Sequence, residues 1–252
     1  MKKLENKTAI VTGAASGMGK AIARLFALNG AKVVVVDLNP DDAMDTAEMI
    51  RMEVGHAIGL KCDVSNEIQV KKMVHAAQLE FGSIDILVNN AGIMDDFTPL
   101  DKVTNERWDK VMGVNINGPF YISREAIVPM LKQGKGVMIH ISSIGGTHGA
   151  RAGLAYTTSK HALIGMSRNI GFMYAKKGIR SNVIAPGGVN TNIMQNALPD
   201  EEGAKLCSSG AASMPRMGEP EEIAKIALFL ASEDSSFVNG EVLTADGGWT
   251  AY

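Results

Sequence analysis

The feature that most constrains this chain is an end-to-end alternation of short β-branched runs with longer helical stretches. The runs are TAIVT (8–12), KVVVV (32–36), AIGLK (57–61), IDILVN (84–89), GVMIHIS (136–142), RSNVIA (180–185) and EVLTA (241–245). Runs such as Val33 to Val36 do not alternate apolar with polar residues, which suits strands covered on both faces of a parallel sheet. Parallel neighbours need crossover connections, and the helical stretches between the runs supply them. The expectation is a doubly wound α/β sheet of about seven parallel strands with helices on both faces.

At 252 residues the chain is long enough for one large domain, and no repeat or linker divides it. Residues 1–252 therefore read as a single unit. Twenty-five basic against 27 acidic side chains leave a formal charge of −2, so no electrostatic pull toward nucleic acid is expected. The start MKKLENKTAIVTG has too short an apolar run for a signal peptide, and no stretch reaches the roughly 18 apolar residues of a membrane span. Cys62 and Cys207 lack disulfide or metal spacing, and the five histidines make no ligand pattern with them. The expectation is a cytoplasmic protein with no metal.

Local signals agree with this frame. In LNPDDAMDTAEMI, Asn39 caps a helix, Pro40 fits its first position, and Asp41 and Asp42 favour its positive end. Gly30 and Gly82 close helices, and Glu221 and Glu222 read as helix-start charges. Residues 188–218 break the rhythm, being long, polar in the middle and weakly periodic. Such a segment is either a substrate-binding loop or lid, or a surface excursion.

After the first strand comes TGAASGMG, which places Gly13, Gly17 and Gly19 before a helix. Glycines there let backbone N–H groups approach a pyrophosphate, and the helix N-terminus favours its negative charge. The spacing is not G-x-G-x-x-G, and the turn lacks the G-K-[ST] ending of a P-loop. Asp37 ends the second strand, where a carboxylate accepts bonds from adenosine ribose hydroxyls. It would repel a 2′-phosphate, and no Lys or Arg stands between Gly13 and Gly19 to offset it, so NAD is expected over NADP. The fourth strand runs into NNAG, at the position where a doubly wound sheet reverses its strand order and opens a ligand crevice.

Tyr156 and Lys160 are four residues apart, so on a helix both project from one face. Alone, the pair reads as a buried tyrosine beside a solvated lysine. A phenol of pKa about 10 is a poor base near neutrality, and lowering it by roughly 2 to 3 units takes about 3 to 4 kcal/mol. A cation at ~4 Å in an effective dielectric near 20 supplies about that much.

TGAASGMG, NNAG, NING (115–118), Ser143, YTTSK and PGG (186–188), taken in order, resemble the short-chain dehydrogenase/reductase family over nearly the whole chain. The resemblance implies a Rossmann-like fold and a hydride transfer between nicotinamide and a small-molecule alcohol or ketone. It implies that Tyr156 is the general acid/base and that Ser143 holds the substrate oxygen. Lys160 would lower the phenol's pKa, with help from the oxidised ring, and hold the nicotinamide ribose. Asn115 would fix a proton-relay water. It further implies that Ser16, Gly17 and Met18 of the glycine turn, Asp63 and Val64 beside the adenine, and Asn90, Ala91 and Gly92 beside the ribose contact the cofactor. Pro186, Gly187, Val189 and Thr191 would hold the carboxamide. A homotetramer built on helices around 105–133 and 154–175 is implied as well. His148 reads as a substrate contact or a turn residue. Met94, Met194, Met214 and Met217 read as core or as the wall of a bulky, partly apolar pocket. A hydroxysteroid, polyol or cyclic alcohol is the expected substrate. The alternatives are an NADPH-dependent 3-oxoacyl-carrier-protein reductase and a non-catalytic dinucleotide sensor.

Overall fold

The computed structural model describes residues 2–195 and 197–251; Asn196, within the 188–218 segment, and the two terminal residues lie outside the described residues. Seven strands form one all-parallel sheet in the order β3-β2-β1-β4-β5-β6-β7. They are β1 (Thr8–Thr12), β2 (Lys32–Asp37), β3 (Ala57–Lys61), β4 (Ile86–Asn89), β5 (Gly136–Ile141), β6 (Ile179–Pro186) and β7 (Val242–Ala245). Strand boundaries differ from the sequence expectation by one or two residues at β2, β4, β5, β6 and β7, where capping side chains blur the ends of pairing.

Alternate residues of one strand enter different cores, which is why the runs are continuously apolar. Val33 and Val35 pack with Ile22, Phe26, Ala47 and Ile50 on one face of the sheet. Val34 and Val36 pack with Val70, Met73, Ile122 and Met130 on the other. The first face is covered by helices α1 (Gly17–Leu28), α2 (Pro40–Val54) and α8 (Pro220–Ala231), and the second by α3 (Glu67–Phe81), α5 (Gly118–Gln133) and α6 (Leu154–Tyr174). The remaining α-helices are α4 (Asn105–Met112) and α7 (Glu201–Ser208).

The predicted caps form. Asn39 accepts from the Asp41 amide, and Gly82 closes α3 at φ 80°. Glu222 is a helix-start charge in a specific sense, because it reaches back to the Glu219 amide while Arg216 holds its carboxyl down at about 2. Segment 188–218 is more ordered than its weak periodicity suggests: it holds a 3₁₀ turn (Asn192–Met194), α7, and a second 3₁₀ turn (Ala211–Ser213). Its short helix buries only Gly203, so it needs no apolar stripe. Among the described residues, no helix is long and apolar enough to cross a membrane.

Candidate active site

Strand order reverses between β1 and β4, and their C-terminal ends are tied together. Thr12 Oγ1 accepts from the Asn90 and Ala91 amides at 3.0 and 3.1 Å, and the Asn90 amide donates to the carbonyls of Thr12 and Gly13 at 2.9 and 3.1 Å. Asn90 thus shapes the glycine turn with its side chain as well as bordering the crevice. Gly13 adopts φ 61°, and a Cβ on Gly19 would sit 2.1 Å from the Gly13 carbonyl oxygen, so this turn tolerates no side chain.

The crevice holds about 380 Å³ and is bordered by Gly13, Ser16, Gly17, Met18, Asp37, Asp63, Val64, Asn90, Ala91, Gly92 and Thr191. Leu38, Cys62, Ile93 and Val114, which sequence reasoning did not single out, line it too. The site fits a dinucleotide on one structural ground in particular. Helix α1 opens onto the crevice with no side-chain cap and no acidic residue in its first turn, whereas α2, α3 and α4 are each capped by Asn or Thr. Its leading N–H donors are left for an anion. Asp37 accepts from the Ala15 amide at 3.1 Å and the Asn39 amide at 3.2 Å, which fixes its carboxylate at the crevice wall.

A second cavity of about 240 Å³ joins the first at Met18, Thr191 and Ile193. Ser143 and Tyr156 face it, as do Pro186, Gly187, Val189 and all four methionines singled out above. Ser142 borders it too, but its hydroxyl donates to the Lys160 carbonyl at 2.9 Å and so braces helix α6. His148 bonds Thr147 Oγ1 at 2.9 Å and does not line the cavity. Arg151, Phe97 and Trp249 do line it, and sequence reasoning missed them.

Tyr156 and Lys160 are both buried on α6. The Lys160 ammonium donates to the Ile141 carbonyl at 2.9 Å and lies 5.4 Å from the centre of the Tyr156 ring. Burial pushes the phenol up to about 12, with the Ser143 hydroxyl pulling it partly back and Asp95 adding to the rise. Burial also draws Lys160 down to about 8. Desolvation is the largest influence on the phenol in the protein alone, ahead of the Ser143 hydroxyl.

Asn115 sits in a π-helical turn (Gly113–Asn117) that breaks the expected helical stretch between α4 and α5. Its amide donates to the Ile93 carbonyl at 3.0 Å and Ser159 Oγ at 3.1 Å, and its oxygen accepts from the Ile93 amide at 2.9 Å. The turn and the side chain together lock the segment after NNAG against α6. A Cβ on Gly92 would meet both Asn115 Oδ1 and Lys160 Nζ at 3.4 Å, which shows how closely these groups converge.

One further residue went unseen in the sequence. Asp95 is fully buried and accepts from the amides of Gly153 at 3.0 Å, Tyr156 at 2.8 Å and Phe97 at 3.2 Å. Helix α6 has glycine at its N-cap and no cap of its own, so a carboxylate from the loop after β4 does that work.

Comparison with known proteins settles the family. The family described as enoyl-(acyl carrier protein) reductase matches residues 13–250. The chain belongs to the short-chain dehydrogenase/reductase family. It is 43% identical over 252 residues to 3β-hydroxysteroid dehydrogenase 2 of Eggerthella lenta, covering 99% of this chain and 96% of that one. It is 37% identical to a 3-oxoacyl-[acyl-carrier-protein] reductase of Thermotoga maritima, covering 98% of each. Among solved structures, a protein proposed to be an NAD(P)-dependent gluconate 5-dehydrogenase from Beutenbergia cavernae, with NADP bound at low occupancy, superposes with a TM-score of 0.89 at 34% identity, covering 99% of both chains. The short-chain dehydrogenase/reductase fold and an oxidoreductase activity on alcohol or carbonyl groups follow.

Proposed function

We propose that this chain is an NAD-dependent oxidoreductase that interconverts a cyclic secondary alcohol and its ketone. When bound, the nicotinamide supplies the hydride donor or acceptor and, in its oxidised form, a positive charge. Tyr156 moves the proton at the substrate oxygen, and Ser143 donates a hydrogen bond that stabilises charge developing there. Lys160 contributes a buried cation beside the phenol ring. Asn115, whose side chain ties Ile93 to Ser159, is read as the residue that would fix the water relaying the proton.

The observation that carries the reading is the meeting of Ser143 and Tyr156 in a largely apolar cavity that opens into the crevice bordered by Asp37. NAD is favoured because the described residues bordering that crevice include Asp37 and neither Lys nor Arg. A 2′-phosphate there would face a carboxylate without a counter-cation. The same point weighs against the NADPH-dependent acyl-carrier-protein reductase, and the presence of Asn115, Ser143, Tyr156 and Lys160 weighs against a non-catalytic sensor. A hydroxysteroid name among the relatives and the methionine-rich wall support a cyclic, mostly apolar substrate. Segment 188–218 supplies Met194, Met214 and Met217 to that wall and is read as the substrate lid.

The test is a panel of secondary alcohols, including steroids and cyclohexanols, followed by NADH absorbance. Tyr156→Phe should lower kcat by about 10³-fold, the scale of a lost general acid/base, while NADH binding measured by fluorescence persists. Turnover unchanged in this variant would overturn the assignment.

A further inference from the structure

We propose that Arg151 binds a carboxylate carried by the substrate, so that the substrate is a hydroxy acid or keto acid with an apolar body. The inference deepens the reading of the Ser143–Tyr156 cavity as the alcohol or ketone site and rests on it. Arg151 lies in the loop between those two residues and lines the same cavity. Its guanidinium stacks on the Trp249 ring, 4.7 Å from the ring centre. Trp249 is itself fixed, because its indole N–H donates to the Gly210 carbonyl at 2.8 Å. A Cβ on Gly210 would lie 2.2 Å from Arg151 Nη1, so the glycine leaves room for the cation.

The guanidinium is held in place but not satisfied. Its Nε is buried without a hydrogen-bond partner. Among the described residues, no carboxylate pairs with it; the ion pairs of the protein are made by other lysines and arginines. The fully buried acid Asp95 is spent on backbone amides of Phe97, Gly153 and Tyr156. An arginine is a fork of five donors that cannot give up its charge, and a buried donor left unpaired is costly. A guanidinium seated over an indole keeps its terminal N–H donors for a planar two-oxygen acceptor. The rest of the wall is mostly methionine, isoleucine and aromatic, so the remainder of the ligand is apolar. A cavity of about 240 Å³ suits a single-ring compound with its acid group set away from the reacting carbon.

The experiment compares cyclohexanecarboxylate with cyclohexanecarboxamide, which has a similar shape and no charge, with inorganic phosphate as a third probe. Each is titrated calorimetrically into the NADH complex of the wild type, Arg151→Lys and Arg151→Gln, and tested as an inhibitor of the best alcohol found in the panel. NADH binding by each variant reports that it is folded. The wild type should bind the carboxylate about tenfold or more tightly than the carboxamide, as expected for a charge-assisted pair. That preference should vanish in Arg151→Gln and survive in part in Arg151→Lys. Equal binding of carboxylate and carboxamide by the wild type, equal losses for both in Arg151→Gln, or a preference for phosphate over carboxylate would overturn the proposal. Alcohol turnover without a carboxylate preference would sink this inference alone. A carboxylate preference without any alcohol turnover would sink the alcohol reading and leave the anion site standing.

Discussion

At the scale of single residues, the proposed preference for NAD rests on Asp37. Its carboxylate is pinned to the crevice by two backbone amides, which limits its freedom to swing aside. Asp37→Ala should raise the ratio of NADP to NAD efficiency in kcat/KM by about tenfold or more, since a like-charge contact of a kcal/mol or two is removed. An unchanged ratio would disprove the ribose role. Asp37, Tyr156 and Lys160 could be singled out in the sequence because Asp37 ends a strand and the other two share one helix face; Ser143 was marked only by the family resemblance. Arg151 and Trp249 could not be, because their meeting joins a loop to a segment 98 positions away and nothing local marks either partner.

Among the elements, helix α6 carries Tyr156 and Lys160 and depends on a cap borrowed from elsewhere. Asp95 is separated from its helix partners by 58 and 61 positions, so no capping box in the sequence could announce it. The N-cap glycine is equally specific: a Cβ on Gly153 would come within 2.6 Å of an Asp95 oxygen. Removing the carboxylate leaves buried N–H donors unpaired, each worth about 1–3 kcal/mol. Asp95→Ala should therefore destabilise the protein by about 3 kcal/mol in urea titrations and reduce kcat far more than it weakens NADH binding; Asp95→Asn should fall between. Equal loss of both functions would point to general unfolding instead. Strands were read well for the opposite reason, since a run buried on two faces writes its environment directly into consecutive residues.

For the whole molecule, acid stability should bear the mark of His140, which lies fully buried in β5. Burial draws its imidazole down to about 4, against roughly 6.5 when unfolded. Between those values the unfolded chain binds the extra proton, so stability is complete above pH 6.5 and is lost as pH falls to 4, by about 3 kcal/mol. Urea midpoints at pH 7.5 and 4.5 should show this, with a flatter profile in His140→Gln. The proposed homotetramer has a surface to use: Phe120 and Val128 on α5 and Phe172 and Met173 on α6 are exposed. Light scattering should give four times the chain mass and a lower value for Phe172→Asp; a wild-type monomer would refute it. The sheet also sorts its duties by location. The residues proposed to handle the proton hang from the end of β5 and from α6, whereas much of the cavity wall comes from loops after β4 and β6 and from the segment beyond β7. Exchange of those three loops for foreign ones is thus a route to new selectivity that leaves the reactive apparatus intact, provided Asp95 travels with its acceptor role preserved.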